Sequence, residues 1–301
     1  MSHQRATLYP LIEQARASLN QLILGNEQSI DIALVGLLSG GHCLIESDQG
    51  CGKSTLAKGL ARLVSGQITA TQCHPELCLD DLISRTNPDK VSGLLSNSLV
   101  ILEDMADCST TLQAIVKQAM CEREVLADGK PTPLAADFQI IATQTNQKPL
   151  SVVLHDKFLL STKLQRLNRA SERLMFRNPD RSKVLAKVKT IFSAKDLSAI
   201  RNAAQNQYTS PHLLDYIQNI IEFSHESDEL NHGLSSQAAL ALLKAAKAYS
   251  LLQQRDHVFP EDVQAVLAAT VNHRLTLTNS DYESPSALIL EKAQFTWWAF
   301  G

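Results

Sequence analysis

Ser47-Asp48-Gln49-Gly50-Cys51-Gly52-Lys53-Ser54 decides how this chain is read. An apolar segment, Cys43 to Ile45, leads into it, and a helical pattern from Thr55 to Val64 leads out. In that strand–loop–helix setting, G-x-x-x-x-G-K-[ST] becomes a phosphate cradle. Glycines let backbone N–H groups curl around phosphate oxygens, and the following helix adds its positive N-terminal end. Asp48, Gln49, Gly50, Cys51, Gly52, Lys53, Ser54 and Thr55 are therefore the candidate nucleotide-binding residues. Lys53 is expected to reach the β- and γ-phosphates, and the Ser54 hydroxyl to ligate Mg2+. One letter departs from the motif: Ser47 stands where the first glycine is usual, adding a Cβ to the turn.

Outward from this loop, strands alternate with helices. Asn26 can cap a helix whose apolar positions Ile30, Ala33, Leu34, Leu37 and Leu38 share one face, ended by Gly40-Gly41. Ile68 to Thr71 reads as a second strand. Leu99 to Leu102 is a continuous apolar run ending in Glu103-Asp104, as a buried parallel strand would. A helix from Ser109 to Met120, a short hairpin around Asp128-Gly129 and a buried strand from Phe138 to Thr143 follow. This order predicts a doubly wound parallel α/β sheet, with its ligand beyond the C-terminal ends of the strands. From Pro179 onward the pattern is helical: Asp180 to Phe192, Ala194 to Ala204, Pro211 to Ser224, Ser235 to Gln253 and Pro260 to Arg274. The expected division is 1–178, an α/β nucleotide-binding domain with an N-terminal helix, and 179–301, a helical lid with a C-terminal tail.

Composition narrows the class. Of 301 residues, 44% are apolar and 20% charged, as in a globular protein with a substantial core. A net charge of −3 gives no general attraction to nucleic acid or anionic lipid, and no apolar run is long enough to span a membrane. Without a leader-like N-terminus, a cytoplasmic location is expected. The six cysteines fall between Cys43 and Cys121 and do not read as a disulfide framework. Cys73-His74 with Cys78 lacks the second pair that zinc spacing requires, so incidental thiols are the expectation. Both tryptophans lie in the tail, Phe295 to Phe300, expected to pack on the lid or a neighbour or to dock a partner.

Further stretches carry a family resemblance. Gly233-Leu234-Ser235-Ser236-Gln237-Ala238, the helix to Leu252, and Gln254 to Val263 resemble the helical lid of MoxR-family AAA+ ATPases. Ile23-Leu24-Gly25-Asn26-Glu27 is similar to the segment that holds adenine there. His74 to Leu82 resembles the stretch after the second strand, and Ile141-Ala142-Thr143-Gln144 the sensor 1 strand. The resemblance implies ATP with Mg2+ bound between subunits of a ring, homo- or hetero-oligomeric and hexameric in expectation. It also implies chaperone-like remodelling of a protein, alongside a partner with a von Willebrand factor A-type domain.

Matched residue by residue, the chain departs from the family near the γ-phosphate. The acidic pair is reversed, Glu103 then Asp104: the first position supports Mg2+, the second orients the attacking water. Sensor 1 asparagine comes one residue late, as Asn146 after Thr145, and the lid arginine falls on Gln237. For the arginine acting across the interface, one alignment gives Arg169, ahead of a strand-like Arg173 to Phe176. A gapless count from sensor 1 gives Asp156-Lys157-Phe158 instead. The expected function is ATP-driven remodelling with slow hydrolysis; the alternative is an ATP-binding, hydrolysis-deficient scaffold subunit.

Overall fold

The computed structural model describes residues 2–293 apart from 88–89, 128, 149, 178–179 and 279–280. The tail tryptophans, the Asp128 turn position and the Pro179 boundary thus lie outside the described residues.

In chain order, α1 (Ser2–Leu22) and α2 (Glu27–Ser39) precede β1 (Cys43–Ser47), α3 (Lys53–Arg62) and β2 (Ile68–Gln72). A short α4 (Leu79–Leu82) and a hairpin, β3 (Ser84–Asn87) with β4 (Lys90–Ser92), lead to β5 (Leu99–Glu103). Then come α5 (Thr110–Glu122), the hairpin β6 (Glu124–Ala127) and β7 (Lys130–Pro133), β8 (Gln139–Thr145), α6 (Val152–His155) and β9 (Leu160–Lys163). Helices complete the chain: α7 (Arg169–Arg177), α8 (Arg181–Lys187), α9 (Ala194–Gln205), α10 (Pro211–Glu226), α11 (Ser236–Leu252), α12 (Pro260–Val271) and α13 (Pro285–Lys292).

The central sheet is parallel throughout, in the order β2-β5-β8-β1-β9. Alternating side chains of its inner strands enter two cores. Cys43, Ile45, Leu99, Ile101 and Ile141 face α1–α3, whereas Leu44, Val100, Leu102, Ile140 and Ala142 face the α5 side. Both faces are covered, which is why these strands read as unbroken apolar runs. The sequence-predicted doubly wound sheet is present, with β1, β5 and β8 close to their expected limits.

The later helices do not form a separate core. Leu242, Ala245 and Ala246 of α11 belong to the same apolar cluster as Leu34 and Leu37 of α2. Small residues along α11, among them Ala238, Ala241 and Ala245, permit that close approach. Arg274, just after α12, pins this layer to the sheet. It donates to the Phe158 carbonyl (2.6 Å), the Thr270 carbonyl and Asp156 Oδ1 (3.2 Å). At the other end, Arg16 of α1 pairs with the buried Asp31 of α2 through both carboxylate oxygens.

Three expectations change. Arg173 to Phe176 is helical, inside α7: Leu174 and Phe176 are exposed on it rather than alternating across a sheet. The fifth strand is β9, which directly follows Asp156-Lys157-Phe158. The helix expected to reach Phe192 stops at Lys187. Ile191 and Phe192 instead donate backbone N–H groups to the Leu63 carbonyl, each at 2.8 Å, and Phe192 is fully buried.

Candidate functional site

The phosphate loop leaves β1 at Ser47 and re-enters regular structure at Lys53. Gly50 (φ 84°) and Gly52 (φ 96°) take left-handed conformations that let the chain reverse within four residues. A Cβ on Gly50 would meet nothing within 4 Å, so the loop curls around open space of the kind a phosphate fills. Ser47 is no obstacle. It is the last residue of β1, paired with Thr145, and is not among the residues with positive φ. An extended backbone accepts any side chain, so the missing glycine carries no backbone strain.

Lys53 is 8% exposed at the start of α3, with Nζ 3.2 Å from Asp104 Oδ1. Asp104 follows β5 in a left-handed conformation (φ 50°), which turns its carboxylate back over the loop. Its N–H donates to Thr143 Oγ1 (2.9 Å), and its Oδ2 accepts from Gln72 Nε2 (3.1 Å). The strands on either side of β5 therefore anchor Asp104, one by its backbone and one by its carboxylate. Glu103, buried at the end of β5, pairs with Lys58 of α3 at 2.8 Å. The reversed acids thus take different partners: the second faces the motif lysine, the first a lysine farther along the helix. Asn146 also reaches the loop, donating through Nδ2 to Asp48 Oδ1 (2.9 Å) and through its backbone to the Ser47 carbonyl.

Beside the loop lies a cleft of about 370 Å³. Gln49, Gly50, Cys51, Gly52 and Thr55 form one wall; Ile23, Leu24, Leu167 and Met175 give an apolar face suited to a planar base. Gly25 (φ 64°) allows the bend, since a Cβ there would sit 2.6 Å from Ser171 Oγ. Asn26 does not use its side chain to cap α2. It clamps the segment after β9 instead, accepting from the Gln165 N–H (2.7 Å) and donating to the Gln165 carbonyl (3.2 Å). Arg181 donates to the Leu22 and Gln21 carbonyls at the end of α1. Glycine curl, buried lysine, hydroxyl and carboxylates fit a nucleoside triphosphate with Mg2+. Such an ion usually takes one or two carboxylates and completes its shell from phosphate and water. No cluster of three or more acidic, histidine or cysteine ligands occurs among the described residues.

Two expected participants lie elsewhere. Gln237 lines a second cleft of about 390 Å³, where its Oε1 is 3.5 Å from Lys157 Nζ. Arg123, Lys244 and the buried Arg274 border the same cleft, which makes it strongly cationic. The lid glutamine is therefore not brought to the chain's own phosphate loop. Arg169 opens α7, after the fifth strand rather than before it, and is exposed. Its expected context ahead of a strand belongs to Lys157. Sequence reasoning missed Gln72, Thr143 and Lys58. Gln72 and Thr143 stand at ends of strands adjacent to β5, a signal available only once strand order is known.

No helix among the described residues is long and apolar enough to cross a membrane.

Residues 42–159 match the model of the ATPase family associated with various cellular activities (AAA), and residues 222–292 match the AAA lid domain. Chaperone MoxR1 of Mycobacterium tuberculosis is 27% identical, over 92% of this chain and 80% of its own length. The uncharacterized protein YeaC of Bacillus subtilis is 26% identical, over 90% and 88%. Protein MoxR of Paracoccus denitrificans is 24% identical, over 91% of each. In fold, the chain is similar to the crystal structure of a Cytophaga hutchinsonii protein provisionally called an ATPase. The TM-score is 0.84 at 23% identity, covering 96% of this chain and 95% of that one. With the loop, the acidic strand end and the helical lid in place, the chain belongs to the MoxR family of AAA+ ATPases.

Proposed function

We propose that this protein binds ATP with Mg2+ and hydrolyses it slowly, using the cycle to remodel a protein partner in a chaperone-like manner. The observation that carries this reading is the buried Lys53 facing Asp104, whose carboxylate is held by Gln72 and whose backbone N–H is held by Thr143. Lys53 and the loop amides would hold the phosphates. Ser54 and Glu103 would hold Mg2+, for which Glu103 must exchange its contact with Lys58. When bound, the ion would supply charge neutralisation to the phosphates. Asp104 would leave Lys53 once phosphate takes the ammonium, and orient the attacking water. Asn146, tethered to Asp48, would supply a polar side chain beside it.

The cationic cleft with Lys157 and Gln237 lies away from the chain's own loop. It is therefore assigned to a neighbouring subunit's nucleotide in a ring, hexameric by family analogy. Lys157 takes the interface position that an arginine fills elsewhere, and a von Willebrand factor A-type protein is the partner class to test. An ammonium is a poorer match than a planar guanidinium for spread-out transition-state charge. That single difference favours a second reading, an ATP-binding scaffold subunit with little turnover.

Phosphate release measured on wild type, Lys53→Ala and Glu103→Asp/Asp104→Glu separates them. Turnover abolished by Lys53→Ala supports the ATPase; turnover indifferent to it overturns it. A silent wild type that binds ATP and is revived by restoring the acid order supports the scaffold.

A further inference from the structure

The cationic cleft carries more positive charge than Asp156, the one acid among its described lining residues, can balance. That carboxylate is already shared by Arg274 (3.2 Å) and Lys157 (3.1 Å). Arg123 and Lys244 are exposed, and neither has an ion pair with a carboxylate among the described residues. Lys244 is on α11, two turns beyond Gln237 and so on the same face; Leu240 and Ala241 between them line the cleft too. Arg123 follows α5 in a left-handed conformation (φ 53°), a position where glycine costs least. Its Nη1 donates to the Ala136 carbonyl at 2.7 Å, which fixes the guanidinium and uses one of its five donors. Behind Gly40, another lining residue, stands Arg201. A Cβ on Gly40 would lie 3.0 Å from its Nε, which is buried without a hydrogen-bond partner among the described residues.

We propose that Arg123 and Lys244 bind the terminal phosphate of a polyphosphate in this cleft, backed by the charge of Arg201. The proposal rests on the assignment of the cleft to a neighbouring subunit's nucleotide and names the groups that grip it. Cations crowd one another here. Desolvation, then the charges of Arg123 and Arg201, pushes Lys244 below the usual lysine range. Desolvation lowers Arg201 as well, with Asp137 opposing and Arg123 adding to it. A phosphate relieves that repulsion, and low-dielectric walls strengthen its attraction to each cation. The planar fork of Arg123 suits two phosphate oxygens at once, and the Lys244 ammonium adds a mobile point charge for the third. Gln237 offers amide donors without charge.

The test uses the full chain at low ionic strength. Lys53→Ala, which disables the chain's own loop, is titrated calorimetrically with inorganic triphosphate. Binding at one site per chain is expected, weakened about tenfold or more by Lys244→Gln or Arg123→Gln and restored to within about threefold by Lys244→Arg. Lys247→Gln removes the same charge from α11 outside the cleft, where Nζ meets the Gln205 carbonyl at 3.1 Å, and leaves affinity within about twofold. Sedimentation with Mg2+ and ATP then identifies the source of the phosphate. Wild type is expected to associate, and Arg123→Gln/Lys244→Gln to bind ATP at its own loop without associating.

Absence of triphosphate binding to Lys53→Ala, or binding indifferent to Lys244→Gln and Arg123→Gln, would overturn the proposal. So would ATP-driven association unchanged in the double variant. Neither readout requires turnover: a silent ATPase that takes triphosphate through these residues loses the proposed hydrolysis and keeps this site. A wild type that takes triphosphate here yet never associates keeps the site and loses the ring.

Discussion

Two faces of this molecule handle the same kind of charge in opposite ways. The loop face brings glycines, one buried lysine and two carboxylates together at the ends of β1, β5 and β8. The second cleft collects Lys157, Arg123, Lys244 and Arg274, with Asp156 as the acid among its lining residues. One face is equipped to cradle phosphate and place a metal and a water; the other can only offer positive charge to something that arrives. The lesson is that the changes near the γ-phosphate do not weaken one site evenly. Ser47 is tolerated by an extended backbone, whereas Lys157 and Gln237 alter the face that would serve a neighbour.

Lys53→Ala strikes the loop face hardest. Loss of one preorganised charge aimed at the transferring group lowers phosphate release about 10²- to 10³-fold, read with nucleotide binding by equilibrium titration. Next comes the second face. In assembled protein, Lys157→Ala lowers turnover about a hundredfold, less than the range quoted for a true arginine finger; Lys157→Arg raises it, and Arg169→Ala leaves it within about twofold. Equal losses from Lys157→Ala and Arg169→Ala would break the division into two faces. Arg274→Ala tests how the cationic cleft is built. It removes a donor from each of the buried Phe158 and Thr270 carbonyls and leaves Asp156 with Lys157 alone, costing about 2–4 kcal/mol in urea unfolding.

His42, on the rim of the same cleft, makes stability there depend on pH. Burial lowers its pKa to about 4, while its Nδ1 accepts the Ile140 N–H at 3.0 Å. Its folded pKa lies below the unfolded value, so the unfolded chain takes up the proton first. Its stabilising contribution is full above about pH 6.5 and is lost as pH falls to about 4, up to about 3 kcal/mol in all. Urea midpoints of wild type and His42→Asn at pH 7, 5 and 4 should therefore converge as pH falls. The smallest effect belongs to Gly52→Ala. Its left-handed backbone and an approach of 3.2 Å to Ile23 Cδ1 cost about 1–2 kcal/mol, measured as a fall in melting temperature.

Legibility followed burial. β5 and β8 are buried on both faces, so Leu99 to Leu102 and Phe138 to Thr143 showed as continuous apolar runs. β9 is an edge strand, Leu-Ser-Thr-Lys, paired among the described residues with β1 alone, and gave no such signal. Its place was taken in sequence by Arg173 to Phe176, whose apolar residues belong to an amphipathic helix. The alignment that selected Arg169 rested on that stretch being a strand. Gln237 was readable as a lid residue but not as a neighbour of Lys157, 80 positions away, because that contact depends on how α11 folds back across α2.

The sequence by itself determined the phosphate cradle, the parallel sheet and the helical lid, because glycine freedom, apolar run length and helical periodicity are local properties. Only the tertiary structure decided which acid faces Lys53 and which cations share a cleft. Those pairings are set by strand order and helix packing, which bring together residues that no local pattern connects.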